Sequence, residues 1–183
     1  MSAARDIVDF WFGDQGQQRP EWFRKDEAFD TSIRLRFGSL VERALAGERL
    51  DADDDAAHGA LARVLLLDQF TRNVYRGTPR AFAGDALALA TARAMVARGE
   101  DVELSTLQRV FVYLPFEHAE DLAMQHESLR LFEQLGDAGF LDYARRHAVV
   151  VERFGRFPHR NAILGRTSTP EEIEYLEQPG SGF

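Results

Sequence analysis

Residues 105–118 read STLQRVFVYLPFEH, and this stretch decides the fold class because it carries both the start signal and the apolar stripe of a helix. Ser105 and Gln108 have the spacing of a capping box, in which each side chain bonds the backbone N–H of the other residue. The apolar residues recur every three or four positions and therefore share one helical face: Leu107, Val110, Phe111 and Leu114. Pro115 is expected to end or kink this helix.

Similar signals divide the rest of the chain into helices. Ser2 is expected to cap a first helix that ends at Gly13, and a long helix runs from near Asp26 to Ala46. Further helices are predicted after the acidic run DADDD at 51–55, in an Ala-rich segment that ends at Arg98, from about 116 to 135, around 140–154, and after the capping box of Thr169 and Glu172. The polar segments 70–79 and 155–168 are predicted loops.

The overall pattern indicates a helical domain. No segment alternates apolar and polar residues for long enough to indicate a strand. The sequence therefore predicts an all-α protein of about eight helices in antiparallel pairs. Residues 1–183 are expected to form one domain, with a mobile tail at 179–183.

The composition limits the partners and the compartment. A net charge of −8 disfavours nucleic acid and anionic membranes, because both are themselves negative. The chain has no cysteine, which excludes disulfides and cysteine-ligated metals, and its longest apolar run is far shorter than the ~20 residues of a membrane span. No secretory signal is recognisable at the start, so a cytoplasmic protein is expected.

Three polar residues stand on apolar helix stripes, and these are candidates for catalysis or binding: Asp68, His118 and His147. Each needs a partner, since burying an unpaired carboxylate costs several kcal/mol. Glu117, beside His118, and Gln125, two turns further on, are expected to join the same cluster. These residues therefore predict a buried polar site where several helices meet.

The two predicted loops supply arginines and asparagines. Guanidinium forks match the paired oxygens of carboxylates and phosphates. We therefore take the following as candidate ligand-binding residues, together with Gln125: Arg72, Asn73, Arg76, Arg153, Arg156, His159, Arg160 and Asn161. The alternative is that the arginines only tie Asp68, Glu117 and Glu152 to neighbouring helix ends.

The two loops also resemble each other. Each contains an aromatic residue, an Arg-Asn pair, a later Arg beside a glycine, and a Thr-Pro helix start. Turn composition explains the glycine and the proline, but a turn requires neither Arg72-Asn73 nor Arg160-Asn161. If the likeness reflects function, Arg72 and Arg160 line one pocket with Asp68 or Glu117, and a negative group must lie between their two positive charges. A protein carboxylate in that place would make the cluster a structural clasp, whereas open space or a bound anion would make it a ligand site.

Other kinds of site find less support. A metal held by Glu117, His118, Asp121 and His147 is conceivable, but the spacing is not diagnostic, and we predict neither a metal nor a cofactor. The chain has no phosphate-binding or dinucleotide-binding glycine motif.

Four stretches resemble a bacterial family, the domain of unknown function 924. They are DIVDFWFG at 6–13, LDQFTRNVYRGTPRAFAGDALAL at 67–89, YLPFEHAEDLAMQ at 113–125 and RFGRFPHRNAILGRTSTPEE at 153–172. The resemblance implies stacked helix pairs similar to tetratricopeptide-repeat proteins, although the sequence shows no clean repeat of that length. It supplies no catalytic residues.

Three functional hypotheses follow from these observations. The first is a binding protein whose polar pocket holds a small anionic ligand or a peptide carboxylate. The second is a pure protein-interaction module in which the ion pairs are structural. The third is a hydrolase or another acid/base enzyme in which His118 or His147 acts beside Asp68 or Glu117. The expected partner is therefore a small anion or a protein or peptide, and the oligomeric state stays open.

Overall fold

The computed structural model describes residues 2–13, 17–48 and 56–182. Every regular element in these ranges is helical and no strand occurs in them, so the predicted all-α class is confirmed. The acidic run 51–55, which is expected to open a helix, lies outside the described residues, as does Phe183 at the end of the tail. None of the described helices combines the length and the apolar character that crossing a bilayer requires.

Ten α-helical segments lie in the described ranges: α1 Ala3–Phe12, α2 Glu27–Leu45, α3 Ala56–Val64, α4 Thr71–Val74, α5 Asp85–Arg98, α6 Thr106–Glu117, α7 Leu122–Leu135, α8 Ala138–Phe154, α9 Asn161–Leu164 and α10 Pro170–Leu176. A π-helical turn joins α3 to α4 without a break, and we call it the π-turn, Leu65–Phe70. Short 3-10 turns occur at Pro20–Trp22, Pro79–Phe82, Glu100–Glu103 and Pro158–Arg160. Because α4 continues α3 and α9 is a single turn, the number agrees with the eight or so predicted helices.

The predicted start signals form hydrogen bonds. The Ser2 hydroxyl accepts the Arg5 N–H at 3.2 Å and so caps α1. At α6, the Gln108 N–H donates to the Ser105 hydroxyl at 3.3 Å, and the Ser105 N–H donates to the Gln108 side chain at 3.0 Å. These bonds satisfy N–H groups that the start of a helix leaves without a partner inside the helix.

The boundary predicted at Pro115 is wrong. α6 passes through Pro115 and ends at Glu117, and α7 begins only at Leu122, not at about 116. Pro115 lies in the last turn, where it removes only one hydrogen bond of the helix. The burial of Leu114 and Phe116 holds that turn against the core.

Both predicted loops are partly helical, which corrects a second expectation. The π-turn and α4 carry the chain as a helix to Val74, and the turn Pro158–Arg160 leads directly into α9. All six residues of the π-turn are buried, and the Thr71 hydroxyl donates to the Leu67 carbonyl at 2.8 Å. Tertiary burial therefore overrides the loop-like composition of this segment.

The helices pack so that the π-turn lies beside the second half of α6. α3 is central and contacts α1, α5 and α6, while α6, α7 and α8 pack in chain order. Short connections between α6, α7 and α8 make them antiparallel neighbours. The Trp11 ring joins these elements, with centroids 5.4 Å from Phe70 and 5.5 Å from Phe111.

Gly84 allows α5 to start directly against the π-turn. A Cβ atom at Gly84 would lie 2.1 Å from the Leu67 carbonyl oxygen, which is far inside van der Waals contact. The missing side chain therefore lets the backbones approach, and Asp85, the next residue, enters the region of the candidate site.

This close approach predicts opposite effects for two glycine substitutions. Gly84→Ala should destabilise the protein by about 2–3 kcal/mol, because the new methyl group meets backbone that cannot move independently. Gly38→Ala is the control: Gly38 lies within α2 with open space around its Cβ position, so alanine should stabilise by about 0.5–1 kcal/mol. Urea unfolding at 25 °C measures both changes. An unchanged or higher midpoint for Gly84→Ala would contradict the close packing.

Candidate functional site

The centre of the candidate site is Asp68, a carboxylate with no exposed surface. Its Oδ1 lies 2.8 Å from His118 Nδ1 and 3.3 Å from Arg72 Nη1, and its Oδ2 accepts from the Gln69 amide at 2.6 Å. Burial alone would raise the pKa of Asp68, but the charge of Arg72 and the hydrogen bonds from His118 and Gln69 prevail and hold it well below its usual range. Asp68 is therefore ionised, and its prediction as a buried, paired residue agrees with the geometry.

Arg72 and Arg160 meet at a third residue, Asp85. Arg72 donates to both carboxylate oxygens of Asp85, at 2.8 and 3.1 Å, and Arg160 Nη1 donates to Oδ2 at 3.2 Å. Arg160 Nη2 also donates to the backbone carbonyl of His118 at 3.0 Å. The arginines of the two similar loops therefore converge, and a protein carboxylate supplies the negative charge between them, which is the arrangement expected of a structural clasp.

Arg160 is held rigidly between two aromatic rings. Its guanidinium carbon lies 4.7 Å from the centroids of both Phe82 and Phe157. The side chain is only 8% exposed, and burial, together with the neighbouring charge of Arg72, lowers the pKa of Arg160. Within the described residues its buried Nε has no hydrogen-bond partner. This arginine is thus fixed in place but incompletely paired.

His118 is the C-cap residue of α6. Its ring reaches solvent, since 15% of the side chain is exposed. Burial lowers the pKa of His118, so its ring is neutral at pH 7. An ionised carboxylate only accepts hydrogen bonds, so Nδ1 carries the proton donated to Asp68 and Nε2 carries the lone pair. An imidazole oriented in this way is suited to act as a general base or as a metal ligand.

Glu117 and His147 form a second buried pair beside Asp68 and His118. His147 Nδ1 lies 2.9 Å from the Tyr143 backbone carbonyl and 3.1 Å from Glu117 Oε1. Burial raises the pKa of Glu117 to about 8, so this acid is mostly protonated at neutral pH. Burial, reinforced by His118, lowers the pKa of His147 to about 3, so this ring is neutral. One ligand-type atom each of Glu117, His118 and His147 lies within 4.8 Å of the others.

Asp121 and Gln125 serve the backbone of this region. Asp121 does not join the other three possible metal ligands, because its side chain caps α7 and accepts the Met124 N–H at 3.0 Å. Gln125 is fully buried, and its amide donates to the carbonyls of Glu117 and Ala119, both at 2.7 Å. Gln125 therefore satisfies backbone carbonyl groups that the C-terminal end of α6 leaves without a partner inside the helix.

The asparagine of each similar loop binds a carboxylate that an arginine also clamps. In the first loop, Asn73 donates to Asp30 at 2.7 Å, and Arg76 forms a two-pronged ion pair with the same group at 2.7 and 2.9 Å. In the second, Asn161 donates to Glu172 at 3.2 Å and Arg156 grips it at 2.6 and 2.7 Å. The asparagines thus have similar roles, but the arginines do not match in order, because Arg166, the counterpart of Arg76, binds Glu120 instead. We call the two clusters the Asp30 clasp and the Glu172 clasp.

The two remaining candidates are Arg153 and His159. Arg153 pairs with the exposed Glu171 at 2.8 Å. His159 is partly buried, and burial together with the charge of Arg160 lowers its pKa to about 4. Asn73, Arg76, Arg153, Arg156 and Asn161 thus form ion pairs or hydrogen bonds with carboxylates on other helices.

Three carboxylates of this region were not recognised from sequence. Asp30, Asp85 and Glu120 all stand near helix ends, where acidic residues are common, and nothing in their spacing sets them apart. Glu120 accepts from both Nη atoms of Arg166, at 2.6 and 2.9 Å, and from the Phe157 N–H at 2.7 Å. One usable signal existed for Asp85: it follows a glycine directly at the start of a helix.

Comparison with known proteins assigns a family. Residues 7–180 match the family described as "Bacterial protein of unknown function (DUF924)". The chain belongs to this family. A solved structure of a protein of unknown function from Agrobacterium tumefaciens resembles this DUF924 member with a TM-score of 0.86 and 46% sequence identity, covering 95% of this chain and 96% of that one. No curated protein matches the chain. The resemblance inferred from sequence is confirmed at the level of the family.

The central carboxylate of this DUF924 protein predicts a large stability effect. Asp68→Ala should destabilise by about 3 kcal/mol or more, because it leaves Arg72 without one of its buried partners. Asp142→Ala is the control, since Asp142 pairs with Arg146 on the surface with 55% and 62% of their side chains exposed, and its loss should cost within about 0.5 kcal/mol. Urea unfolding at pH 7 compares the two. Equal losses would show that Asp68 is not a buried, paired charge.

The Glu172 clasp predicts a pH dependence. The hydrogen bonds from Arg156 hold the pKa of Glu172 at about 2, below its ordinary value of 4.5. A depressed folded-state pKa stabilises the protein above pH 4.5, and this stabilisation is lost as the pH falls from there towards 2. The stability difference between the wild type and Glu172→Gln should therefore shrink across that window, as measured by unfolding at several pH values. A difference independent of pH would contradict the clasp.

Proposed function

We propose that this DUF924 protein is a binding protein and that its ligand is a small anion received where Arg72, Arg160 and His118 converge. The observation that carries the proposal is the sharing of one partly exposed carboxylate, Asp85, by two guanidinium groups. The same cluster reaches solvent through Arg72, Asp85 and His118, whose side chains are 21%, 22% and 15% exposed.

The donors at this face outnumber their acceptors. Two guanidinium groups offer ten N–H donors between them. Among the described residues, Asp85 is the one carboxylate that both arginines contact, and of the two only Arg72 pairs with Asp68. The unpaired Nε of Arg160 and the lowered pKa of its guanidinium indicate that additional negative charge would be favourable here. An anion that approaches Asp85 from solvent meets donors already in place.

The chemistry of the donors favours a carboxylate or a phosphate. Both groups present paired oxygens that match the planar fork of arginine. Phe82 and Phe157 hold Arg160 in one orientation, so little conformational entropy is lost when a ligand binds. A small anion or the carboxylate of a peptide fits this description.

A second candidate function is an interaction module with structural ion pairs. The clasps at Asp30 and Glu172 favour it, because each ties a loop to a neighbouring helix without leaving an obvious place for a ligand. Asp85 favours it too, since this protein carboxylate already lies between Arg72 and Arg160. Tetratricopeptide-like stacking of the helix pairs would suit such a role and belongs to the same proposal. The response of the wild-type protein to small anions separates the two functions.

Anion binding predicts a saturable rise in the melting temperature. Phosphate and succinate, added at constant ionic strength, should stabilise the folded state by mass action. At ten times the dissociation constant the gain is about 1.4 kcal/mol, or about 3–6 °C for a chain of this size. Thermal unfolding followed by circular dichroism gives the shift, and sodium chloride at the same ionic strength gives the baseline.

Matched variants locate the effect. Arg160→Lys keeps the charge but loses the fork, and should abolish the rise, whereas Arg76→Lys alters the clasp at Asp30 and should leave it intact. Asp85→Asn removes the internal competitor and should lower the anion concentration needed for half the effect. A wild type without a saturable rise, or an equal rise in Arg160→Lys, would favour the interaction module instead.

A further inference from the structure

We infer that Glu117, His118 and His147 form a binding site for a divalent transition-metal ion. One ligand-type atom from each residue lies within 4.8 Å of the other two. Glu117 and His118 come from the end of α6 and His147 comes from α8, so two packed helices present the three groups to one point. This inference goes beyond anion binding, because none of the arginines contributes a ligand.

The two histidine rings are oriented as metal ligands usually are. A metal-bound histidine commonly donates its other ring N–H to a carboxylate or to a backbone carbonyl. His118 donates from Nδ1 to Asp68 at 2.8 Å, and the Nδ1 of His147 lies 2.9 Å from the Tyr143 carbonyl. Both contacts hold the proton on Nδ1 and leave the lone pair on Nε2 available to a metal. The Nδ1 of His147 also lies 3.1 Å from Glu117 Oε1, which keeps the ring beside the carboxyl group.

Glu117 is the second independent observation. The residue is 3% exposed, and among the described side chains no arginine or lysine forms an ion pair with it. Its Oε2 is buried and, within the same described residues, has no hydrogen-bond partner. A buried carboxyl group without such a partner costs free energy. A bound cation would satisfy this oxygen and stabilise the ionised form of the group.

The donor set selects the class of metal. Two imidazole nitrogens and one carboxylate oxygen suit Zn²⁺, Fe²⁺, Co²⁺ or Mn²⁺, whereas Mg²⁺ and Ca²⁺ prefer oxygen ligands alone. Ligand atoms about 2.1 Å from one ion lie roughly 3.4 Å apart in tetrahedral geometry. Because the ligand-type atoms lie within 4.8 Å of one another, binding would draw them together by at most about 1.4 Å. The exposed edge of His118 provides a route from solvent.

The test is metal titration of the full chain after dialysis against a chelator. Isothermal titration calorimetry with Zn²⁺ should show one ion per chain, and Co²⁺ should give visible absorption bands of a low-coordinate site with nitrogen and oxygen ligands. Loss of a group that hydrogen-bonds and orients a metal ligand commonly lowers the metal affinity by about 10–100-fold. Glu117→Gln and His147→Gln, which remove ligands, should therefore weaken Zn²⁺ binding by at least about 100-fold, and Asp68→Asn by about 10–100-fold.

Two controls separate this site from metal binding at a surface histidine and from the anion site. His126→Gln changes an exposed histidine that lies 3.8 Å from Glu152 and should leave Zn²⁺ binding unchanged. Arg160→Lys should also retain Zn²⁺, although it should lose the response to anions. Circular dichroism shows whether each variant folds. The Co²⁺ spectrum of the wild type tests the inference independently, even if a variant fails to fold. Absence of stoichiometric binding to the wild type, or binding that survives Glu117→Gln, would overturn the inference.

Discussion

The ionised carboxylate of Asp68, which has no exposed surface, is the constraint on which the rest of the site depends. A buried charge is tolerated only where partners satisfy it, and Arg72, His118 and Gln69 supply those partners. To bring them there, the chain forms a π-turn within a long helix and places the end of α6 beside it. Arg72 then orients Asp85, so one buried charge organises three helices.

The sequence predicts the buried polar residues of the site, but not the carboxylates and the π-turn around them. Asp68, His118 and His147 break apolar stripes, and a polar residue on a core-facing stripe must find a partner inside the protein. This reasoning needs only the helical period, and it placed all three where the structure has them. The capping boxes succeeded for the same reason, because their hydrogen bonds are local.

Features that depend on tertiary contact could not be predicted in this way. The sequence of the π-turn has no composition that distinguishes it from a loop. Burial against α2, α5 and α6 keeps this segment helical. Asp85 looks like any acidic residue at a helix start until Gly84 brings it against the π-turn. The arginines in the sequence indicate that carboxylate partners exist. Which carboxylate each arginine binds, Asp30, Glu120 or Glu172, depends on the packing of segments far apart in the chain.

The central claim is that Asp68 and the Tyr143 carbonyl fix two neutral histidines in the same tautomer, with no proton on either Nε2 atom. Nitrogen NMR of the metal-free protein, labelled with ¹⁵N-histidine, reports the protonation of each ring nitrogen directly. At pH 7 we expect His118 and His147 both to carry hydrogen on Nδ1 alone. A cationic His118, or hydrogen on Nε2 of either neutral ring, would contradict this claim.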